Sequence, residues 1–181
     1  MVMFYPQGHE ATLWKPDPAE AGHRFFLGND AGWSVGNPPL IALCMNPSYA
    51  SEQVSDKTID RLIKASIEHQ YSGWVMLNLY PERATDPANL SAYDASLSQD
   101  NCDAIEEVIA KYQVTEILGA WGGNPKPTIR QAKRDVLARL KSLGVQVFSL
   151  DPLTADKNPR HPTPRTGPLP MLGPKVYLPL L

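Results

Sequence analysis

The run LIALCM, residues 40–45, is followed at once by Asn46-Pro47-Ser48. A short apolar run that ends on a turn signal reads as a buried strand. Three more runs share the pattern: WVMLNLY (74–80), VTEILGA (114–120) and VQVFSL (145–150). Helical spacing lies between them. In TIDRLIKASIEHQ (58–70), Ile59, Leu62, Ile63 and Ile67 fall on one face, with Ser55 or Asp56 as N-cap and Gly73 as the stop. Ile105, Val108, Ile109 and Tyr112 form a second stripe, and Ile129, Val136, Leu137 and Leu140 a third that ends before Gly144. Strand and helix alternating in this way predict right-handed crossovers and a parallel sheet covered on both faces. The expected fold class is α/β, a three-layer α/β/α sandwich around a mainly parallel four-stranded sheet spanning 40–150. Residues 1–39, with apolar pieces around Trp14 and from Arg24 to Leu27, read as an edge strand or hairpin. Residues 151–181 read as a proline-rich loop segment. No repeat or second core interrupts the pattern, so 1–181 is read as a single domain.

Composition narrows the class. With 43% hydrophobic and 20% charged residues the chain has the make-up of a globular protein rather than a disordered or fibrous one. Only proline is unusual: the chain has 18, near twice the average share of roughly 5%, and they crowd the last thirty residues. No apolar run approaches the roughly 18 residues of a membrane span, and MVMFYPQGHEATLW lacks the basic start and apolar stretch of a signal peptide. A cytoplasmic protein without a membrane partner is expected. Cys44 and Cys102 lack redox or metal-ligand spacing, so no disulfide, metal or cofactor is assigned. The net charge of -2 conceals a division: residues 1–120 carry 7 basic and 16 acidic side chains, residues 121–181 carry 10 basic and 3 acidic. A basic segment supplies phosphate contacts, or simply a solvated helix face such as TIRQAKRDVLARLKSL.

In an open parallel sheet the loops after the strand C-termini meet on one edge, where ligands bind. Asn46, Ser48 and Tyr49 follow the first strand, and Asn78 and Arg83 lie at the end of the second. Trp121, Gly122 and Gly123 follow the third, and Arg160, His161 and Arg165 follow the fourth, within NPRHPTPRTGP (158–168). Each has an ordinary structural reading as well: a turn for Asn46 before proline, a satisfied core amide for Asn78, a tight turn for the glycines, a local hydrogen bonder for His161. Their predicted convergence on one edge is what favours a site.

The runs ALCMNPSYA, VMLNLYP, ILGAWGG and HPTPR, in that order and each at a strand end, resemble the motifs of the uracil-DNA glycosylase superfamily, nearest its single-strand-selective monofunctional branch. NPSYASEQVSDKTIDRLIKA, NLYPERATDP, AWGG and PRHP resemble domain-of-unknown-function family 1643, for which no activity follows. The first resemblance implies a glycosylase-like fold and a set of roles. Asn46 would position an attacking water at the sugar carbon, Asn78 would read a pyrimidine edge, and His161 would donate to the base oxygen that gathers charge as the glycosidic bond breaks. Tyr49 or Trp121 would stack on an extruded base, and Ser48, Arg83, Arg160 and Arg165 would hold phosphate. The pattern departs from that branch at Ser48, where a small glycine or alanine is usual, and at Asn46, where no carboxylate stands.

The expected partner is therefore nucleic acid or a nucleotide. Two functions remain open: an N-glycosidase removing a damaged or modified base, and a non-catalytic nucleotide or nucleic-acid binder. A metal-free phosphoryl or sugar transfer at the same edge ranks third.

Overall fold

A computed structural model describes residues 3–16, 22–123 and 126–179. The four apolar runs form the parallel centre of the sheet, as β3 (Leu40–Cys44), β4 (Trp74–Asn78), β5 (Glu116–Gly119) and β6 (Gln146–Ser149), joined side by side in the order β4-β3-β5-β6. The sheet is larger than expected and mixed. It has seven strands in the order β1-β2-β4-β3-β5-β6-β7, with β1 (Leu13–Lys15), β2 (Phe26–Asn29) and β7 (Val176–Tyr177) all antiparallel to their neighbours. The N-terminal hairpin thus adds two strands to one edge. Its connection, residues 17–21, lies outside the described residues. β7 is only two residues long and sits among prolines, so no alternation marks it in the sequence.

Both faces are covered, which makes the domain three-layered. Alternation along each strand sends Ile41, Leu43, Val75, Leu77, Ile117 and Val147 to one face. There they pack against α2 (Ala95–Tyr112) and α3 (Pro127–Ser142). Leu40, Ala42, Cys44, Trp74, Met76, Leu118 and Phe148 point the other way and pack against α1 (Lys57–Glu68). On this second face Leu150, just after β6, and Leu169 and Met171 of the C-terminal segment complete the cover. No helix among the described residues is long and apolar enough to cross a membrane.

Two details of α1 differ from the sequence expectation. Ile67 is 54% exposed, because at 100° per residue it lies about 80° round the helix from Ile59. Ser66 takes the inward position instead and donates to the Gly73 carbonyl (2.5 Å). Gly73 is not the helix stop. The turn after α1 is made by Gln70 in the left-handed region (φ 59°), whereas a Cβ on Gly73 would come within 2.1 Å of the Asn29 carbonyl oxygen. Gly73 is therefore required for the close approach of β4 to β2.

Candidate functional site

The loops after β3, β4 and β6 and the first turn of α1 enclose a cavity of about 450 Å³ at the C-terminal edge of the parallel strands. Its size falls within the usual range for small-molecule sites. Five of the residues singled out from the sequence line it: Asn46, Ser48, Tyr49, His161 and Arg165. Cys44 from the end of β3 and Met76 from the middle of β4 form apolar lining, and Asp56, Lys57 and Thr58 enter from the cap and first turn of α1.

Backbone pairing beyond the strand ends aligns the loops. The Leu79 and Tyr80 amides donate to the Cys44 and Met45 carbonyls (2.8 and 3.1 Å), and Ala84 N–H donates to Pro47 O (2.9 Å). Asn46 reinforces this pairing by donating both amide hydrogens, to Pro47 O (3.1 Å) and Ala84 O (2.7 Å). Only its Oδ1 remains for a ligand.

The segment 48–51 is clamped from behind. Arg24 donates to Ala50 O (2.5 Å), Arg83 donates to the carbonyls of Ala50 (3.2 Å) and Ser48 (3.4 Å), and the Tyr5 hydroxyl donates to Ser51 O (2.5 Å). Arg24 is 99% shielded from solvent and forms no ion pair among the described residues. Burial, and next the neighbouring Arg83, lower its pKa to about 10, so it stays cationic. It is a fixed positive charge behind the cavity wall, in contact with Met76 Sδ at 3.4 Å. Nothing in the sequence around FFLGN announces this role, because burial of a lone arginine has no local signature.

His161 is held in one tautomer. The Thr163 N–H donates to Nδ1 (3.2 Å), and the Thr163 hydroxyl lies 3.3 Å from the same atom and 3.4 Å from the Thr58 hydroxyl. A backbone N–H only donates, so Nδ1 is the acceptor and the ring proton resides on Nε2. Burial pushes the His161 pKa below its ordinary value, partly opposed by the contact with the Thr163 backbone and then by the Asp56 carboxylate, and keeps the ring neutral. Gly122 packs against the backbone and Cβ of His161. Its φ is +73°, and a Cβ there would stand 3.0 Å from His161 Cβ, while its N–H donates to Pro159 O (3.0 Å). The AWGG turn and the prolines around His161 thus serve one purpose, fixing an imidazole at the cavity wall.

Four of the expected site residues lie elsewhere. Trp121 is fully buried on the α2/α3 face, donating to Asn158 Oδ1 (3.2 Å) with the Lys133 ammonium 5.5 Å above its ring. Parity explains this: Trp121 follows Ile117 and Gly119 at a spacing of two, so it continues their face, whereas the cavity lies on the other. Asn78 has the parity of Met76 but is fully buried, donating to Arg24 O (3.3 Å). Arg83 holds the 48–50 backbone from behind, as above. Arg160 points outward and donates to Pro152 O (3.0 Å).

Lys57 and Thr58 are the residues that motif reading passed over, while Asp56 stood out only as a cap choice and a carboxylate near Asn46. The signal was available, since Asp56 was one of the two cap choices for α1. Its Oδ1 accepts from Thr58 N (2.8 Å) and Ile59 N (2.9 Å). A helix that follows a parallel strand begins at the strand's C-terminal edge, so its first turn belongs to the site. The basic excess of the C-terminal third is carried largely by α3, on the opposite face. The cavity's cations are Arg165, from that third, and Lys57, from the acidic portion of the chain.

No curated protein and no solved structure matches the chain. A family model described as "Protein of unknown function (DUF1643)" matches residues 24–163, which include every strand of the parallel centre, all three helices and His161. The chain belongs to this DUF1643 family.

Proposed function

We propose that the cavity recognises a nucleobase and that the protein is an N-glycosidase acting on a damaged or modified nucleotide in DNA, on a fold related to the uracil-DNA glycosylases. The observation that carries this reading is the fixed Nε2–H donor of a neutral His161 in a cavity that also holds Asn46 and Tyr49. In hydrolysis, water oxygen bonds to the sugar C1′ as the C1′–N bond breaks and its electron pair passes to the base. A neutral donor aimed at the base oxygen stabilises that charge without adding a proton to the ground state. Asn46 Oδ1 accepts from the attacking water, and Asp56 is the cavity carboxylate that takes the water's proton. Tyr49, 51% exposed, lies at the rim, where a ring stacks on an entering base.

A second reading, non-catalytic nucleotide or nucleic-acid binding, is favoured by one observation: both amide hydrogens of Asn46 are engaged by backbone carbonyls, which is a structural use of that side chain. A gel assay for abasic sites separates the two readings, using oligonucleotides that carry uracil, hypoxanthine, oxidised and hypermodified bases. The glycosidase reading expects strand scission after alkali with at least one base, reduced on the order of a hundredfold in His161→Ala with affinity nearly kept. Binding without base release across the panel, with affinity lost in the variant, supports the second reading.

A further inference from the structure

Beside the cavity lies a second one of about 510 Å³, and the two share Lys57, Thr163 and Arg165 in their walls. The two cavities are therefore adjacent, and a ligand seated in the first lies against the same three side chains that border the second. The outer cavity adds Arg61, one turn along α1 from Lys57, and the Asp60 carboxylate, and it has no aromatic ring in its lining. It offers charge and hydroxyl groups but no stacking surface.

Its cations are electrostatically out of place. Lys57 opens α1, where the positive end of the helix dipole disfavours a cation, and Arg61 lies at i+4, where like charges repel. Neither these two nor Arg165 forms an ion pair or hydrogen bond among the described residues. Lys15, Lys64, Lys111, Arg139 and Lys175 are each held by a carboxylate. The one carboxylate in the lining, Asp60, is directed to Lys64 at 3.0 Å rather than to any of these three cations. Arg134, Lys141 and Lys157 are unpaired as well, but Lys57, Arg61 and Arg165 come together from two separate elements at one cavity, two of them against the preference of α1, and none makes a bond that holds the fold among the described residues. Local rules of this kind are broken at functional sites.

We infer that Lys57, Arg61 and Arg165, with the Thr163 hydroxyl, form a phosphate subsite for the nucleotide whose base occupies the inner cavity. This rests on the base-recognition reading above. The phosphate belongs either to a free mononucleotide or to a DNA strand, and both present the same anionic oxygens to these donors.

The test compares a nucleoside, its 5′-monophosphate and a short single-stranded oligonucleotide by calorimetric titration at several salt concentrations, in the wild type and in Arg61→Gln. The wild type is expected to bind the monophosphate at least tenfold more tightly than the nucleoside, and in Arg61→Gln that ratio falls toward one. Relief of the repulsion leaves the variant's melting temperature equal to or above that of the wild type. A strand as the natural source adds affinity and a steeper salt slope for the oligonucleotide; equal slopes indicate the mononucleotide. Equal wild-type affinity for nucleoside and monophosphate, an unchanged ratio in the variant, or a variant that melts lower overturns the subsite while leaving base recognition standing. Should none of the three ligands bind, base recognition has failed and pyrophosphate decides the subsite. Thermal stabilisation by pyrophosphate that is lost in Arg61→Gln supports it, and no stabilisation overturns it.

Discussion

At the scale of single residues, the site turns on how His161 is protonated. The unfolded chain binds a proton at this residue near its ordinary pKa of 6.5, whereas burial lowers the folded value, so the native state binds fewer protons as pH falls. The stability this contributes is present above pH 6.5 and is lost progressively as pH drops through the window below it. Melting temperature is expected to decline from pH 7 to pH 5 more steeply in the wild type than in His161→Gln, which has no proton to gain; parallel curves by calorimetry would remove the buried-imidazole account. Gly122 offers a second check. Gly122→Ala places a side chain in the left-handed region, at a cost of about 1–2 kcal/mol, and presses on His161 Cβ. Both melting temperature and ligand affinity should fall, whereas Gly123→Ala, which meets nothing within 4 Å, should affect affinity little. The place of His161 at the cavity wall was legible because proline and arginine surround it in sequence after the last parallel strand. Its tautomer was not, because Thr163 reaches Nδ1 only through the shape of the loop.

At the scale of elements, α1 joins fold and site through Asp56. Asp56→Ala removes the acceptor for Thr58 N–H and Ile59 N–H and is expected to cost about 1 kcal/mol of stability in denaturant unfolding. Asp56→Asn retains a capping oxygen but not the charge. It should recover most of that stability and, by removing a negative charge close to the proposed phosphate subsite, raise affinity for the nucleotide proposed as ligand. If activity requires Asp56 as a base, the same variant loses turnover while binding better, a split that a purely structural cap would not give. The strand ends and helix starts were readable from periodicity alone, which located the edge where the loops meet. The direction of each side chain was a matter of parity. Counting by two from Ile117 puts Trp121 on the α2/α3 face, and counting by two from Trp74 puts Asn78 on the α1 face, where Arg24 engages it.

At the scale of the whole molecule, the proline-rich C-terminal segment does more than carry the site loop. Leu169 and Met171 close the core over α1, and the Met171 carbonyl accepts from His69 Nε2 (3.1 Å). Met171→Ala is expected to lose about 2 kcal/mol or more in equilibrium unfolding, as truncation of a buried side chain does. A loss below half that would mean the segment is not part of the core. This cover was illegible in sequence because its apolar residues are scattered singly among prolines, without helical or strand spacing. The same holds for β7, whereas the N-terminal pair β1 and β2 was legible as an edge hairpin from the apolar pieces around Trp14 and from Arg24 to Leu27; the three together widen a four-stranded centre to seven. The central claim is that this architecture presents a neutral Nε2–H of His161 to a nucleobase. It is tested most directly by long-range ¹H–¹⁵N correlation spectra of ¹⁵N-histidine-labelled protein at pH 7, with His161 assigned by its loss in His161→Gln. The account predicts an unprotonated Nδ1 and a protonated Nε2, with the Nε2 resonance of His161 shifting as nucleotide or oligonucleotide is added. A proton on Nδ1, or a His161 spectrum unmoved by every nucleoside, nucleotide and oligonucleotide offered, would contradict it.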